Sequence, residues 1–148
     1  SWEIDGHHSN GSVFYDGEEQ RFKMWYTYWL PDEAKAKAWI GNLGYATSID
    51  GVTWEKPDLG FTEFQGSRKN NLLAEKNLTP AFLDPNEKNP DKRFKTFVNT
   101  STTTPVGMKL DLYTSGDGFN WTAYENNPEA NASSFTNFDS HGTAHYIA

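Results

Sequence analysis

The feature that most constrains this chain is a repeat. Val13-Phe14-Tyr15-Asp16 is followed by Arg21-Phe22-Lys23-Met24-Trp25-Tyr26, then by Gly44-Tyr45-Ala46-Thr47-Ser48-Ile49-Asp50-Gly51-Val52-Thr53-Trp54. The same order returns as Ala81-Phe82-Leu83-Asp84, Arg93-Phe94-Lys95-Thr96-Phe97-Val98 and Leu112-Tyr113-Thr114-Ser115-Gly116-Asp117-Gly118-Phe119-Asn120-Trp121. The copies lie roughly 70 residues apart with small drifts in loop length, as a repeated supersecondary unit requires. A third copy opens at Phe135-Thr136-Asn137-Phe138-Asp139, with Tyr146-Ile147-Ala148 as its second strand.

Each copy reads as four short strands. In the first copy they fall near 12–16, 21–29, 42–49 and 52–56; in the second, near 80–84, 93–99, 109–115 and 119–123. Asp50-Gly51 and Asp117-Gly118 are hairpin turns, because Gly tolerates a positive φ and Asp bonds the local backbone. Asp16-Gly17 turns the chain between the first two strands. Pro31 followed by Asp32-Glu33-Ala34-Lys35-Ala36-Lys37-Ala38 predicts a loop insertion with one or two helical turns. The stretch at about 57–79 carries Pro57, Gly60 and Gly66 and reads as a linker without continuous strand.

Four antiparallel strands, repeated, is the sequence form of a β-propeller. The expected fold class is therefore all-β and β-propeller-like, with four-stranded antiparallel blades and about two and a half of them. Blade 1 covers about 11–56 and blade 2 about 80–123; blade 3 starts at about 133–148, all within one partial-propeller domain. A blade cannot bury both faces alone, so neighbours must supply cover. Either a longer chain or a second copy does so.

Composition narrows the function classes. Aromatics make up 16% of the 148 residues, enough large apolar surface for a core. Net charge is −7 and no Lys/Arg block forms a phosphate-binding stripe, which argues against nucleic acid. No apolar run approaches the roughly 20 residues of a membrane-spanning helix. The absence of Cys removes disulfides, thiolate nucleophiles and Cys-ligated metals. Asn-x-Ser/Thr sequons, such as Asn77-Leu78-Thr79 and Asn99-Thr100-Ser101, read as chance in an Asn-rich chain.

Both Ser48-Ile49-Asp50-Gly51-Val52-Thr53-Trp54 and Ser115-Gly116-Asp117-Gly118-Phe119-Asn120-Trp121 fit Ser-x-Asp-Gly-x-x-Trp. Together with Arg21-Phe22-Lys23-Met24-Trp25-Tyr26 and Trp54-Glu55-Lys56-Pro57, the chain resembles the five-bladed propellers related to glycoside hydrolase families 32 and 43. It is most similar to uncharacterised bacterial members. The resemblance covers nearly the whole chain and about half of a complete propeller. The motif is also similar to the Asp-box of sialidases, one residue shorter between Ser and Trp. Its chemistry is architectural: Asp caps the turn, Gly permits the backbone and Trp packs between strands.

The resemblance implies carbohydrate as the partner and an extracellular or periplasmic setting. In catalytic relatives two carboxylates flank the scissile bond, one as nucleophile or base and one as acid. Their usual motifs are Asn-Asp-Pro-Asn-Gly, Arg-Asp-Pro and Glu-Cys, and none is intact here. Asp84-Pro85-Asn86 reads as a turn. Any enzyme activity would be that of a glycoside hydrolase.

Candidate site residues precede each inner strand, the positions expected to face the central funnel. They are Asp5, His7, His8, Ser9 and Asn10; Glu75, Asn77 and Thr79; Asn131, Ser133 and Ser134. Short polar groups suit sugar hydroxyls, and aromatics suit the apolar sugar face. Asp5 and Glu75 are the candidate catalytic carboxylates. His7, His8, Asn10, Asn71, Asn77 and Trp39 are the candidate substrate contacts. Asn71 is chosen from Gly66-Ser67-Arg68-Lys69-Asn70-Asn71, which is similar to a Gly-Ser-x-x-Asn-Asn run in related propellers. No metal and no cofactor are expected: His7 and His8 are adjacent, and His141 and His145 are not on a helix. The main alternative is a non-catalytic module that self-assembles as a homo-oligomer; the other is a truncated part of a longer propeller enzyme.

Overall fold

A computed structural model describes residues 7–31, 39–74, 81–99 and 110–125. The chain divides into two compact units, Ser1–Pro80 and Ala81–Ala148. Among the described residues, apart from a short 3-10 turn at Pro90–Lys92, the regular elements are strands, and both sheets are antiparallel meanders, one of three strands and one of four. The expected helical turns at 32–38 and the third copy at about 133–148 lie outside the described residues.

In the first unit β1 (His7–Asp16), β2 (Arg21–Pro31) and β3 (Trp39–Ser48) pair in that order. β2 is central and carries aromatic residues on both faces, so both faces can be packed. On one face Trp25 is fully buried, stacked on Phe14 at 5.2 Å and edge-on to Tyr45 at 4.8 Å. On the other, Tyr26, Tyr28 and Ala46 form a buried cluster that Met24, Trp54 and Phe64 cover.

Two boundaries differ from the sequence reading. β1 reaches back to His7, because β2 continues past Tyr26 and offers Thr27, Tyr28 and Trp29 as partners. His7, His8 and Asn10 therefore lie within the first strand and do not precede it. The register slips between Ser9 and Gly11, a bulge with Asn10 as the extra residue.

The fourth strand of the first unit is the other difference. At its expected place only Glu55 pairs, exchanging hydrogen bonds with Thr47 at 2.8 and 2.9 Å. Further along the β3 edge, at Leu43–Tyr45, the partner is the stretch that reads as a linker. Tyr45 N–H donates to Asn71 O at 3.0 Å and Leu73 N–H to Leu43 O at 2.8 Å, with Gly44 opposite Leu72. The fourth position is thus split between Glu55 and Asn71–Leu73. An open sheet edge is a row of unpaired backbone groups, and this strap satisfies those at Leu43 and Tyr45.

The second unit is a complete four-stranded meander. β4 (Phe82–Leu83), β5 (Phe94–Asn99), β6 (Leu110–Ser115) and β7 (Thr122–Ala123) pair consecutively. The 3-10 turn before β5 is capped by Asn89, whose side chain accepts from Asp91 N–H. The strands are shorter than the expected ranges, most of all β4 and β7.

Candidate functional site

The most conspicuous motifs are built identically in the two units. Ser48 Oγ donates to Asp50 Oδ1 at 2.9 Å, and Ser115 Oγ donates to Asp117 Oδ1 at 2.9 Å. Each serine oxygen accepts from the following glycine, Gly51 N–H at 2.8 Å and Gly118 N–H at 2.9 Å. Asp50 Oδ1 then accepts from Val52 and Thr53 N–H, and Asp117 Oδ1 from Phe119 and Asn120 N–H, at 2.7 to 2.8 Å. Gly51 and Gly118 sit at φ +74° and +80°, where only glycine is unstrained.

These bonds fix the charge state. The Thr53 and Val52 amides hold the Asp50 carboxyl at about 2. For Asp117, burial pushes upward, but the Asn120 and Phe119 amides outweigh it and bring the carboxyl to about 2. A carboxylate so held is a poor proton donor near neutrality. Asp50 and Asp117 belong to the turns.

A second repeated constellation was not read from the sequence. Lys23 Nζ lies 2.9 Å from Asp16 Oδ2 and 2.6 Å from Glu19 Oε1, with the Asp16 and Lys23 side chains buried. In the second unit Lys95 Nζ bonds Asp84 Oδ2 and lies 3.0 Å from Glu87 Oε2. Asp16 Oδ1 also accepts from Glu18 N–H at 3.0 Å, as Asp84 Oδ1 does from Asn86 N–H. The signal was available: an Asp, a Glu three residues on, and a Lys after the next Arg-Phe in both copies. It ties each first hairpin together with a charge-assisted contact.

The strap carries a third constellation. Asn70 Nδ2 donates to Thr62 O at 2.9 Å and to Ser67 O at 3.2 Å, while its Oδ1 accepts from Leu72 N–H. Asn71 Nδ2 donates to Tyr26 Oη at 2.6 Å and to Tyr45 O at 2.8 Å. Gln65 and Gly66, at φ 49° and 76°, reverse the chain between Phe64 and Ser67. The Gly-Ser-x-x-Asn-Asn run is a device for fastening the strap to β3.

Of the expected sugar contacts, Asn71 has a described side chain. It is 1% exposed and its amide is engaged inside the fold, so here it serves the strap. His7, His8 and Asn10 are placed by their backbone in β1, with His7 opposite Trp29 and His8 opposite Tyr28. Trp39 begins β3 opposite Pro31. The antiparallel register therefore brings His7, His8, Asn10 and Trp39 to one end of the β1–β2–β3 sheet. The Ser48–Asp50 turn lies at the other end. Asp5, Glu75, Asn77, Thr79, Asn131, Ser133, Ser134, His141 and His145 lie outside the described residues. Among the described residues, no three His, Cys, Asp or Glu side chains are grouped to hold a metal ion, and no helix is long and apolar enough to cross a membrane.

No protein-family model matches the chain, and no curated protein matches it. Among solved structures, the chain is similar to the β-fructofuranosidase from Schwanniomyces occidentalis complexed with fructosyl-erythritol. The identity is 21% and the TM-score 0.49, over 87% of this chain and 25% of that one. The chain spans about a quarter of that structure's length.

Proposed function

We propose that this chain is a segment of a glycoside-hydrolase-like propeller and that it binds carbohydrate. The observation that carries the reading is the gathering of His7, His8, Asn10 and Trp39 at one end of the first sheet. Imidazole and amide groups pair with sugar hydroxyls, and an indole suits the apolar face of a pyranose or furanose ring. The Ser-x-Asp-Gly-x-x-Trp resemblance to carbohydrate-active propellers supports the same class. In this reading Asp5 and Glu75 are the carboxylates of any hydrolysis, one activating the attack and the other protonating the leaving oxygen.

A glycan array together with a panel of aryl glycosides tests both levels. Binding without turnover keeps the carbohydrate module and removes the hydrolase. Silence in both assays from a folded sample abandons the reading. If turnover occurs, Asp5→Ala and Glu75→Ala should each abolish it; activity surviving both substitutions rejects that assignment.

A second reading, a non-catalytic module that associates with its own copies, is favoured by a different observation. Val13 and Tyr15 present apolar surface to solvent on a sheet face.

A further inference from the structure

The register of the first sheet sorts the candidate sugar contacts by face. Residues opposite one another across an antiparallel pair share a face, and neighbours along a strand alternate. His7 pairs with Trp29, and Trp29 pairs with Gly41, so these three form one row. Pro31 and Trp39 form the next row on the same face. His8 pairs with Tyr28 and Tyr28 with Asn42, which puts His8 on the opposite face. Asn10, the extra residue of the bulge, belongs to neither set.

Burial separates the two faces. On the face of His8 the closed cluster runs as far as Tyr28, which is 1% exposed. On the face of His7, Trp25 and Tyr45 are buried, but further along β2 Thr27 and Trp29 are half-buried. A ligand at this end of the sheet therefore meets an indole on the face of His7, whereas the phenol at the same level of the other face is already packed. Gly41 carries no side chain to stand beside Trp29, and a strand glycine marks a place of close approach.

We infer that Trp29 is the stacking platform of the proposed sugar site and that the face it shares with His7 and Trp39 is the one used. The apolar C–H face of a sugar ring lies on the indole, and the imidazole of His7, in the same row, suits its hydroxyls. Trp39, one row on, extends the platform toward a second sugar unit. Net charge −7 disfavours uronates and sulfated sugars, so the ligand is a neutral saccharide. The inference rests on the carbohydrate reading and adds the face and the residue that carry it.

NMR titration of the whole chain with methyl glucoside, galactoside, mannoside and fructoside, and with oligosaccharides built from them, tests it. For a sugar that binds, Trp29→Ala should weaken affinity about tenfold or more, and Trp29→Phe less, since a phenyl ring keeps part of the stacking face. His7→Ala should cost about three- to tenfold, and more than His8→Ala. Ile49→Ala, in the turn at the other end of the sheet, should bind as the parent does. Circular dichroism of each variant establishes that the strands persist; if Trp29→Ala unfolds, Trp29→Phe and the two histidine variants carry the test. Affinity that survives Trp29→Ala, or that falls as much with His8→Ala as with His7→Ala, overturns the inference and leaves the carbohydrate reading standing. A silent panel removes that reading, and the inference with it.

Discussion

The ring of Tyr26 fills the space that a side chain at Gly44 would need. A Cβ at Gly44 would stand 2.6 Å from Tyr26 Cζ and 2.9 Å from its hydroxyl oxygen. The two residues face each other across β2 and β3, and that hydroxyl accepts from Asn71 Nδ2. An aromatic ring laid over a strand glycine compensates for its missing side chain. Here it also carries the hydrogen bond that fastens the strap.

Gly44→Ala should therefore destabilise the first unit by about 1–3 kcal/mol, since the buried ring has nowhere to swing. Urea unfolding followed by tryptophan fluorescence measures it. Gly17 is the control, because a Cβ there would meet nothing within 4 Å. Gly17→Ala should lie within about 0.5 kcal/mol of the parent.

Asn71→Ala should cost about 2–3 kcal/mol, because two buried acceptors lose their donor. Amide hydrogen exchange should rise at Leu73, whose N–H bonds Leu43 O, before it rises in β2. The double variant with Tyr26→Phe should cost less than the two single changes added, since both remove the same bond. Additive losses would separate Asn71 from Tyr26.

Lys23→Met should destabilise more than Lys95→Met. The Lys23 and Asp16 side chains are 3% and 1% exposed, whereas Lys95 and Asp84 are 14% and 21% exposed. Leaving a buried carboxylate unpaired costs about 3–5 kcal/mol, and the more solvated site can rehydrate. Thermal unfolding of the two variants side by side gives the order.

Acid should weaken the fold in a defined window. Burial pushes Asp16 upward, but Lys23 and the Glu19 and Glu18 amides outweigh it and hold the carboxyl below its ordinary value. Asp50 and Asp117 are held at about 2. Lowered folded-state values mean stability that is fully present above the ordinary aspartate range and lost as pH falls from about 4 towards 2. Unfolding midpoints measured across that window should fall, and Asp117→Asn should flatten the slope.

The Ser-x-Asp-Gly-x-x-Trp turns were legible because every group they need is local: serine, aspartate and glycine lie within four residues of one another. The strands they bound were legible for the same reason, although the fourth strand expected at 52–56 reduces to the Glu55–Thr47 bridge. The strap was not. Pro57, Gly60 and Gly66 hide it from any strand signal, and it is fastened by the Asn71 amide reaching Tyr26 and Tyr45, far away in sequence, while Asn70 braces the strap internally. The N-terminal extent of β1 was hidden too, because His7, His8 and Ser9 have little strand preference of their own and are drawn in by β2. For Asn71 the residue type was right for hydrogen bonding, yet its partners proved to be Tyr26 and Tyr45.

The central claim is that the end of the first sheet holding His7, His8, Asn10 and Trp39 receives a sugar. Two-dimensional amide NMR of the labelled chain, titrated with a panel of mono- and oligosaccharides, tests it most directly. The account predicts saturable shifts at residues 7–10 and 39–42 for at least one sugar, with the Asp50 and Asp117 turns unmoved. A silent panel, or shifts confined to those turns, would contradict it.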